Sequence, residues 1–251
     1  MFSEEFERAL ERLLSARTEA EKWAEIQDYF KVRGFPIINY SFIDGAGVGV
    51  EEAPVRMRST ADPEFLNDYA ENRRDLVDPL ADYGRSGRPG PYLVSNTMEE
   101  SLSGLNENRK THLDFVAAES HTSNLLIPLP TGLASGPLRS GVVLGTSIEA
   151  GDLQEIIGRY GAELIVFAHH MHAELRGVIL RQLAGDEPLT NREADCLSYI
   201  ARGERPERIA DLIGLSTATV NFHLRNARRK LNARTTAEAV AKAMRYAAIA
   251  L

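Results

Sequence analysis

The sequence predicts an α+β chain of two domains: an N-terminal α/β/α sandwich with an antiparallel sheet, then an all-α domain of four short helices. Three observations carry this. At 251 residues the chain is long for one module and suits two. Strand candidates in the first part pair with sequence neighbours across loops, which favours an antiparallel sheet with helices on its faces. The last sixty or so residues hold only short helical stretches, each with its own start and stop signal.

Taken in order, Ser3 to Leu14 and Ala20 to Phe30 read as amphipathic helices. Phe6, Leu10 and Leu13 form one stripe, Trp23, Ile26 and Phe30 another, and Gly34 ends the second helix. Phe35 to Ile43 is β-rich, Asp44-Gly45-Ala46-Gly47 makes a turn, and Val55 to Arg58 alternates, so the three form a hairpin. Residues 62 to 86 return to helical spacing, and a further helix covers Asn106 to Glu119. Two strands, Leu125 to Leu129 and Gly141 to Thr146, flank a Gly/Pro/Ser loop. A long helical segment from Ile148 to Leu180 closes the domain. Residues 184–188, Ala184-Gly185-Asp186-Glu187-Pro188, have the composition of a linker, which sets the domains at 1–183 and 189–251.

Composition limits the function classes. With 43% hydrophobic and 26% charged residues the chain reads as globular, and no stretch approaches the roughly 18 apolar residues of a membrane span. The N-terminus is acidic where a secretory leader is basic, so a cytoplasmic location and no membrane partner are expected. Cys196 is the single cysteine and sits among apolar residues, which argues for a buried thiol. The net charge of −7 hides an asymmetry. From Asp186 onward eleven Lys and Arg face eight Asp and Glu, and Leu215 to Arg234 carries five basic residues with no acid. That is the local footprint of a nucleic-acid partner.

In the second domain Thr190 and Glu193 form a capping box, and Gly203 ends the first helix. Pro206 opens the second, Gly214 stops it, and Ser216 caps a third. Val220, Leu224, Ala227 and Leu231 fall on one face of that third helix, leaving Asn221, Arg225, Arg228 and Arg229 on the other. A helix-turn-helix with amides and guanidiniums on its exposed face suits a DNA major groove.

Leu189-Thr190-Asn191-Arg192-Glu193, Cys196-Leu197, Ala201-Arg202-Gly203, Ile209-Ala210, Thr219-Val220, His223-Leu224, Ala227 and Lys230-Leu231 closely resemble the LuxR-type helix-turn-helix. Two positions depart from it: Tyr199 replaces a frequent Trp, and Thr236 a usual Arg. The resemblance implies base contacts from Asn221 and Arg225. It places Thr217, Thr219, Arg228 and Lys230 nearer the phosphate backbone, where contacts set register. It also implies a homodimer on an inverted-repeat operator in double-stranded DNA. The helix from Asp152 to Leu180 and the final helix from Ala237 to Ile249 are the candidate interfaces.

The first domain opens with helices, not with the buried strand and paired Asp of a receiver. It has no Gly-x4-Gly-Lys-Ser/Thr loop, and Gly45-Ala46-Gly47-Val48-Gly49 lacks the helix a phosphate loop needs. Its length, its order of elements and Phe65-x3-Tyr69-x8-Asp78-Pro79 resemble the acyl-homoserine-lactone-binding domain of LuxR-type regulators. The resemblance implies that Asp78 accepts a hydrogen bond from a ligand amide and that Tyr69 lies against the ligand. Phe65 stands where the family has a Trp that donates to the lactone carbonyl, and a phenyl ring has no N–H. Ala61 replaces a family Tyr, Asn124 a family Gly, and Leu93 and Val94 lie near a second family Trp. Ser147 falls where family members place a hydroxyl near the acyl carbonyl. Ile38, Tyr40, Phe65, Leu76, Leu126 and Leu144 are expected to enclose the ligand. Without that context an Asp before Pro is a turn or helix cap and Tyr69 a core residue.

No cofactor is expected beyond a small signal molecule, an acyl- or aryl-homoserine lactone or a related amide. The alternative is a regulator that binds DNA or a partner protein without such a ligand. His169, His170 and His172 invite a metal, but neither a nearby cysteine nor a carboxylate at known spacing completes a site, and no metal is expected. There is no Gly-x-Ser-x-Gly elbow and no His-Glu-x-x-His, so an enzyme is not expected.

Overall fold

The computed structural model describes residues 2–44, 53, 55–119, 121–131, 138–183, 187–246 and 248–249. The expected turn at 45–47, most of the loop from Pro130 to Ser140 and linker residues 184–186 lie outside the described residues. The chain divides into two units, Met1–His172 and Ala173–Leu251.

The first unit begins with α1 (Glu4–Ser15) and α2 (Glu19–Val32). Ser3 caps α1, and its N–H and hydroxyl both donate to the buried Glu163 carboxylate, at 2.7 and 3.0 Å. Thr18 and Glu21 form a capping box on α2. Then come β1 (Ile37–Asp44), β2 (Val55–Ser59), α3 (Pro63–Glu71), a 3-10 turn (Arg74–Leu76), α4 (Pro79–Ser86) and β3 (Tyr92–Ser95). They are followed by α5 (Glu99–Leu102), α6 (Glu107–Ala118), β4 (Ser123–Leu129), β5 (Leu138–Thr146) and α7 (Ala150–Leu183). The division between the units falls within α7.

The five strands form one antiparallel sheet in the order β2-β1-β5-β4-β3. Strand alternation gives its two faces different chemistry. Tyr40 and Phe42 of β1 turn toward α7, where the Tyr40 hydroxyl meets His172 Nδ1 at 2.7 Å and Phe42 stacks on the His172 ring. On that side Tyr29 stacks on Phe167 with ring centroids 3.6 Å apart, and Phe30 meets Phe167 edge-on. Asn39, Ser41 and Ile43 face the other way, toward α3, α4 and α6. β3, at the sheet edge, and α5 were not predicted: four residues between Arg88-Pro89-Gly90-Pro91 and a turn are too few to show a period.

Gly34, at the C-terminus of α2, has φ +88°, and an added Cβ would lie 2.5 Å from Ile148 Cδ1. The Ile148 methyl is a flexible tip and can move, so the backbone conformation carries most of the cost of a side chain here. Gly34→Ala is expected to destabilise the first unit by about 1–3 kcal/mol in chemical denaturation.

The second unit contains α8 (Asn191–Ala201), α9 (Pro206–Ile213), α10 (Thr217–Lys230) and α11 (Thr236–Arg245). Cys196, Leu197, Ile209, Val220, Leu224, Ala227, Leu231 and Ala239 form its core, and the Cys196 thiol is buried and free. No helix among the described residues is long and apolar enough to cross a membrane.

Candidate functional site

A pocket lies between the sheet and the helices α3, α4 and α6. Its position follows from local signals. Asp62 caps α3, with Pro63 in its first turn, and α3 presents Phe65 and Tyr69 one turn apart on its buried face. Asp78 caps α4 through a 2.8 Å hydrogen bond from the Leu80 N–H, with Pro79 in its first turn. Between the two helices the buried Asp75 carboxylate binds Arg85 and accepts from Arg73 Nε at 2.9 Å, while Arg85 Nη1 donates to the Asp75 carbonyl at 2.6 Å. That network holds the short connection that aims Asp78 inward.

The Tyr69 hydroxyl donates to Asp78 Oδ2 at 2.7 Å, and His112 Nε2 of α6 lies 3.7 Å from Asp78 Oδ1. Burial pushes the Asp78 carboxyl up, but His112, the Tyr69 hydroxyl and the Leu80 N–H together outweigh it and hold the group below the usual carboxylate range. Burial first, and the Asp78 charge second, push the Tyr69 phenol well above its ordinary value. At neutral pH the pair is therefore a phenol donating to a carboxylate. Burial also lowers His121, which stays a neutral imidazole.

Phe65 stacks on Phe115 at 5.1 Å between centroids and meets His121 edge-on at 6.0 Å. The Arg74 guanidinium covers the other ring of that stack, 3.6 Å from the Phe115 centroid. Leu80, Leu113, Val116, Leu126, Val143, Val55 and Met57 complete an apolar lining, with Asn39, Ser41, Asn124 and Arg139 as polar interruptions. The cavity is about 70 Å³.

The pocket brings together Phe65, Tyr69, Asp78 and Leu126. Other expected residues lie elsewhere. Tyr40, with Ile38 and Leu144, occupies the opposite face of the sheet, because residues of one parity on β1 and their β5 partners point toward α7. Ser147 follows the end of β5 and is exposed, and Leu76 is 52% exposed in the 3-10 turn. Asp78 serves both as helix cap and pocket carboxylate. His112 and His121 were missed; His112 shares a stripe with Phe115 and Val116 at helical spacing, a pattern that marks a buried polar residue. The helix histidines do not converge: His169 Nδ1 bonds the Ile165 carbonyl at 2.8 Å, while His172 sits between Tyr40 and the Pro130 carbonyl.

The second candidate surface is α10. Gly214, at φ +67°, ends α9 with its N–H on the Ala210 carbonyl, and Ser216 Oγ accepts from the Thr219 N–H at 3.1 Å to start α10. Val220, Leu224 and Ala227 are buried, while Ala218, Asn221, Phe222, Arg225 and Arg229 form an exposed stripe. Thr217 and Thr219 are half-buried in the first turn, where Thr219 Oγ1 shares a hydrogen bond of 2.8 Å with Ser216. Arg228 is half-buried. Lys230 has partners within the unit: its ammonium is 2.8 Å from Glu193 Oε2 and 3.1 Å from the Pro188 carbonyl, so it holds α10 to the start of α8. Phe222, 49% exposed beneath the Arg225 guanidinium at 5.6 Å, was not predicted. Its offset from the buried set is the signal that marks it.

Residues 187–243 match the family described as bacterial regulatory proteins, luxR family. The second unit is a LuxR-type helix-turn-helix domain. Its family is one of regulators, not enzymes. Among curated relatives, the transcriptional activator AnoR of Acinetobacter nosocomialis is 43% identical over 56 residues, 22% of this chain and 24% of that protein. LuxR of Aliivibrio fischeri is 39% identical over 61 residues, 24% of each chain. These matches thus span about a quarter of those relatives' length. RaiR of Rhizobium etli is 26% identical over 193 residues, 76% of both chains. Escherichia coli SdiA superposes with a TM-score of 0.58 at 16% identity, covering 98% of each chain. CepR2 of Burkholderia cenocepacia, an N-acylhomoserine lactone dependent LuxR-family factor, superposes with a TM-score of 0.53 at 16% identity, covering 68% of this chain and 93% of that one. The chain therefore shares the fold of these LuxR-type regulators.

Proposed function

We propose that the protein is a transcriptional regulator that binds an inverted-repeat operator as a homodimer in the cytoplasm, gated by a small neutral molecule at Asp78. An acyl- or aryl-homoserine lactone or a related amide is the first class to consider. The carrying observation is the Asp78 carboxylate, 12% exposed and fixed by Tyr69 and the α4 N-terminus at the wall of a largely apolar pocket. Such a group recognises a ligand N–H or O–H, and the stacked phenyl of Phe65 offers no donor to a lactone carbonyl. Gating requires that the ligand favour one arrangement of the first unit over another.

The test is the melting temperature of the purified protein against lactones of both kinds and organic extracts of host culture. At about a hundred times Kd a ligand adds about 2.7 kcal/mol, which a melt resolves. A shift in the wild type that Asp78→Ala removes supports the reading; a shift that Asp78→Ala retains places the site elsewhere. Phe65 packed on Phe115 in place of a donor favours one second reading, a regulator active without ligand, and absence of a shift with every sample would favour it.

A further inference from the structure

Resting on the operator reading above, we infer that Phe222 is a base-reading residue: its ring takes the 5-methyl group of a thymine in the major groove, close to the guanine read by Arg225. The placement follows from helix geometry. Val220, Leu224 and Ala227 turn inward, and at about 100° per residue Phe222 stands roughly 200° from Val220, opposite that buried set. Ala218 lies one turn before it on the exposed stripe, and Arg225 and Arg229 lie one and two turns after it. The Phe222 residue is 49% exposed. Its ring centroid is 5.8 Å from that of His223, and the Arg225 guanidinium lies 5.6 Å away, within the roughly 6 Å reach of a cation over a ring. A phenyl ring left in water at the centre of such a surface forgoes the gain of burial unless a partner covers it.

The charge around the ring points to DNA as that partner. From Leu215 to Arg234 the chain carries five Lys and Arg and no acid, so a second copy of this face would set Arg225 and Arg229 against like charges. Duplex DNA supplies the opposite charge, and the apolar group its major groove displays is the thymine methyl. The side chain that points straight away from the unit's core reaches deepest into the groove, and the short Ala218 beside it lets the helix approach. Three helical residues rise about 4.5 Å, a little more than the base-pair spacing of about 3.4 Å. The thymine is therefore placed within about two base pairs of the Arg225 guanine.

The experiment selects sites from a random duplex pool with the full chain, alone and with host-culture extract. Deoxyuridine then replaces thymine in the recovered site, which removes the methyl and keeps the base pairing. The wild type is expected to enrich a thymine within about two base pairs of a guanine in each half-site. Uracil there should weaken binding about fourfold per half-site and about fifteenfold for both, the factor for one methyl-sized group. Phe222→Ala should retain the guanine, lose the thymine and bind both forms alike, with an unchanged melting temperature because the ring lies outside the core. Phe222→Leu should keep part of the methyl preference. Equal binding of the thymine and uracil sites by the wild type, or a methyl preference that survives Phe222→Ala, would overturn the inference and leave the operator reading intact. Failure to enrich any inverted repeat, with or without extract, would overturn both.

Discussion

Lys230→Ala is expected to destabilise the C-terminal helical unit by on the order of 3 kcal/mol. The ammonium sits 2.8 Å from Glu193 Oε2, with side-chain exposures of 12% and 4%, and it also donates to the Pro188 carbonyl. Removing it leaves Glu193 buried with only the Thr190 backbone N–H, at 2.8 Å, and the capping-box contacts to offset its lost hydration. Hydrogen exchange of the α8 and α10 amides reads this locally. Replacing both partners, Lys230→Met with Glu193→Gln, should recover most of the loss, because the lost hydration of an unpaired carboxylate is what the single variant suffers. The effect also depends on pH. Burial raises the Glu193 carboxyl, yet Lys230 and the Thr190 N–H lower it further, so its folded value lies below the unfolded one. The stabilisation is thus present above the unfolded value and is lost as pH falls through the folded one. The gap between wild type and Lys230→Ala should narrow below about pH 4. A phosphate contact would behave differently, with stability unchanged and the salt slope of DNA binding reduced by about one.

Lys230 shows where the sequence stops being legible. Helix boundaries in the second unit are written in side chains that act on their own backbone: Thr190 with Glu193, Gly214, Ser216. Such signals are local and need no tertiary information. The fate of a long cation at the end of a helix depends instead on what lies opposite, here the carboxylate of a capping box thirty-seven positions earlier in the chain. The pocket teaches the same lesson through strand parity. The β-rich character of β1 was readable, and Ile38 and Tyr40 were its candidates for enclosing an apolar ligand. That set belongs to the larger core against α7, and the pocket received the more polar set, Asn39 and Ser41. The side of a sheet that must bind rather than pack tolerates amides and hydroxyls, so hydrophobicity ranked the two faces in the wrong order. Phe65, Tyr69 and Asp78 were legible through the resemblance to the autoinducer-binding domain; by themselves they read as helix core and helix cap, which is how α3 and the start of α4 also use them.

Arg225→Ala should abolish operator selectivity while leaving the unit folded. Arg225 is exposed on α10 and forms no salt bridge among the described residues; its guanidinium lies 5.6 Å from the Phe222 ring centroid. Arg229, on the same stripe, is engaged by Glu187 at 3.0 Å. Removing Arg225 therefore disturbs no core contact, and the loss falls on DNA alone. A guanidinium paired to guanine O6 and N7 contributes about 1–3 kcal/mol of discrimination per half-site, and a dimer engages two. The ratio of specific to non-specific binding should drop by about thirtyfold to about twenty-thousandfold, measured by competition at fixed salt, with little change in non-specific affinity. Arg225→Lys should not restore it, because a point charge lacks the planar fork. Arg228→Ala should do the opposite, weakening all DNA alike and lowering the salt slope by about one per subunit. If Arg225→Ala leaves the ratio unchanged, base reading passes to Asn221 and Phe222, the neighbouring exposed side chains nearer the N-terminus of α10. Phe222→Ala then becomes the discriminating variant, since a phenyl ring reads the thymine methyl that Arg225 does not.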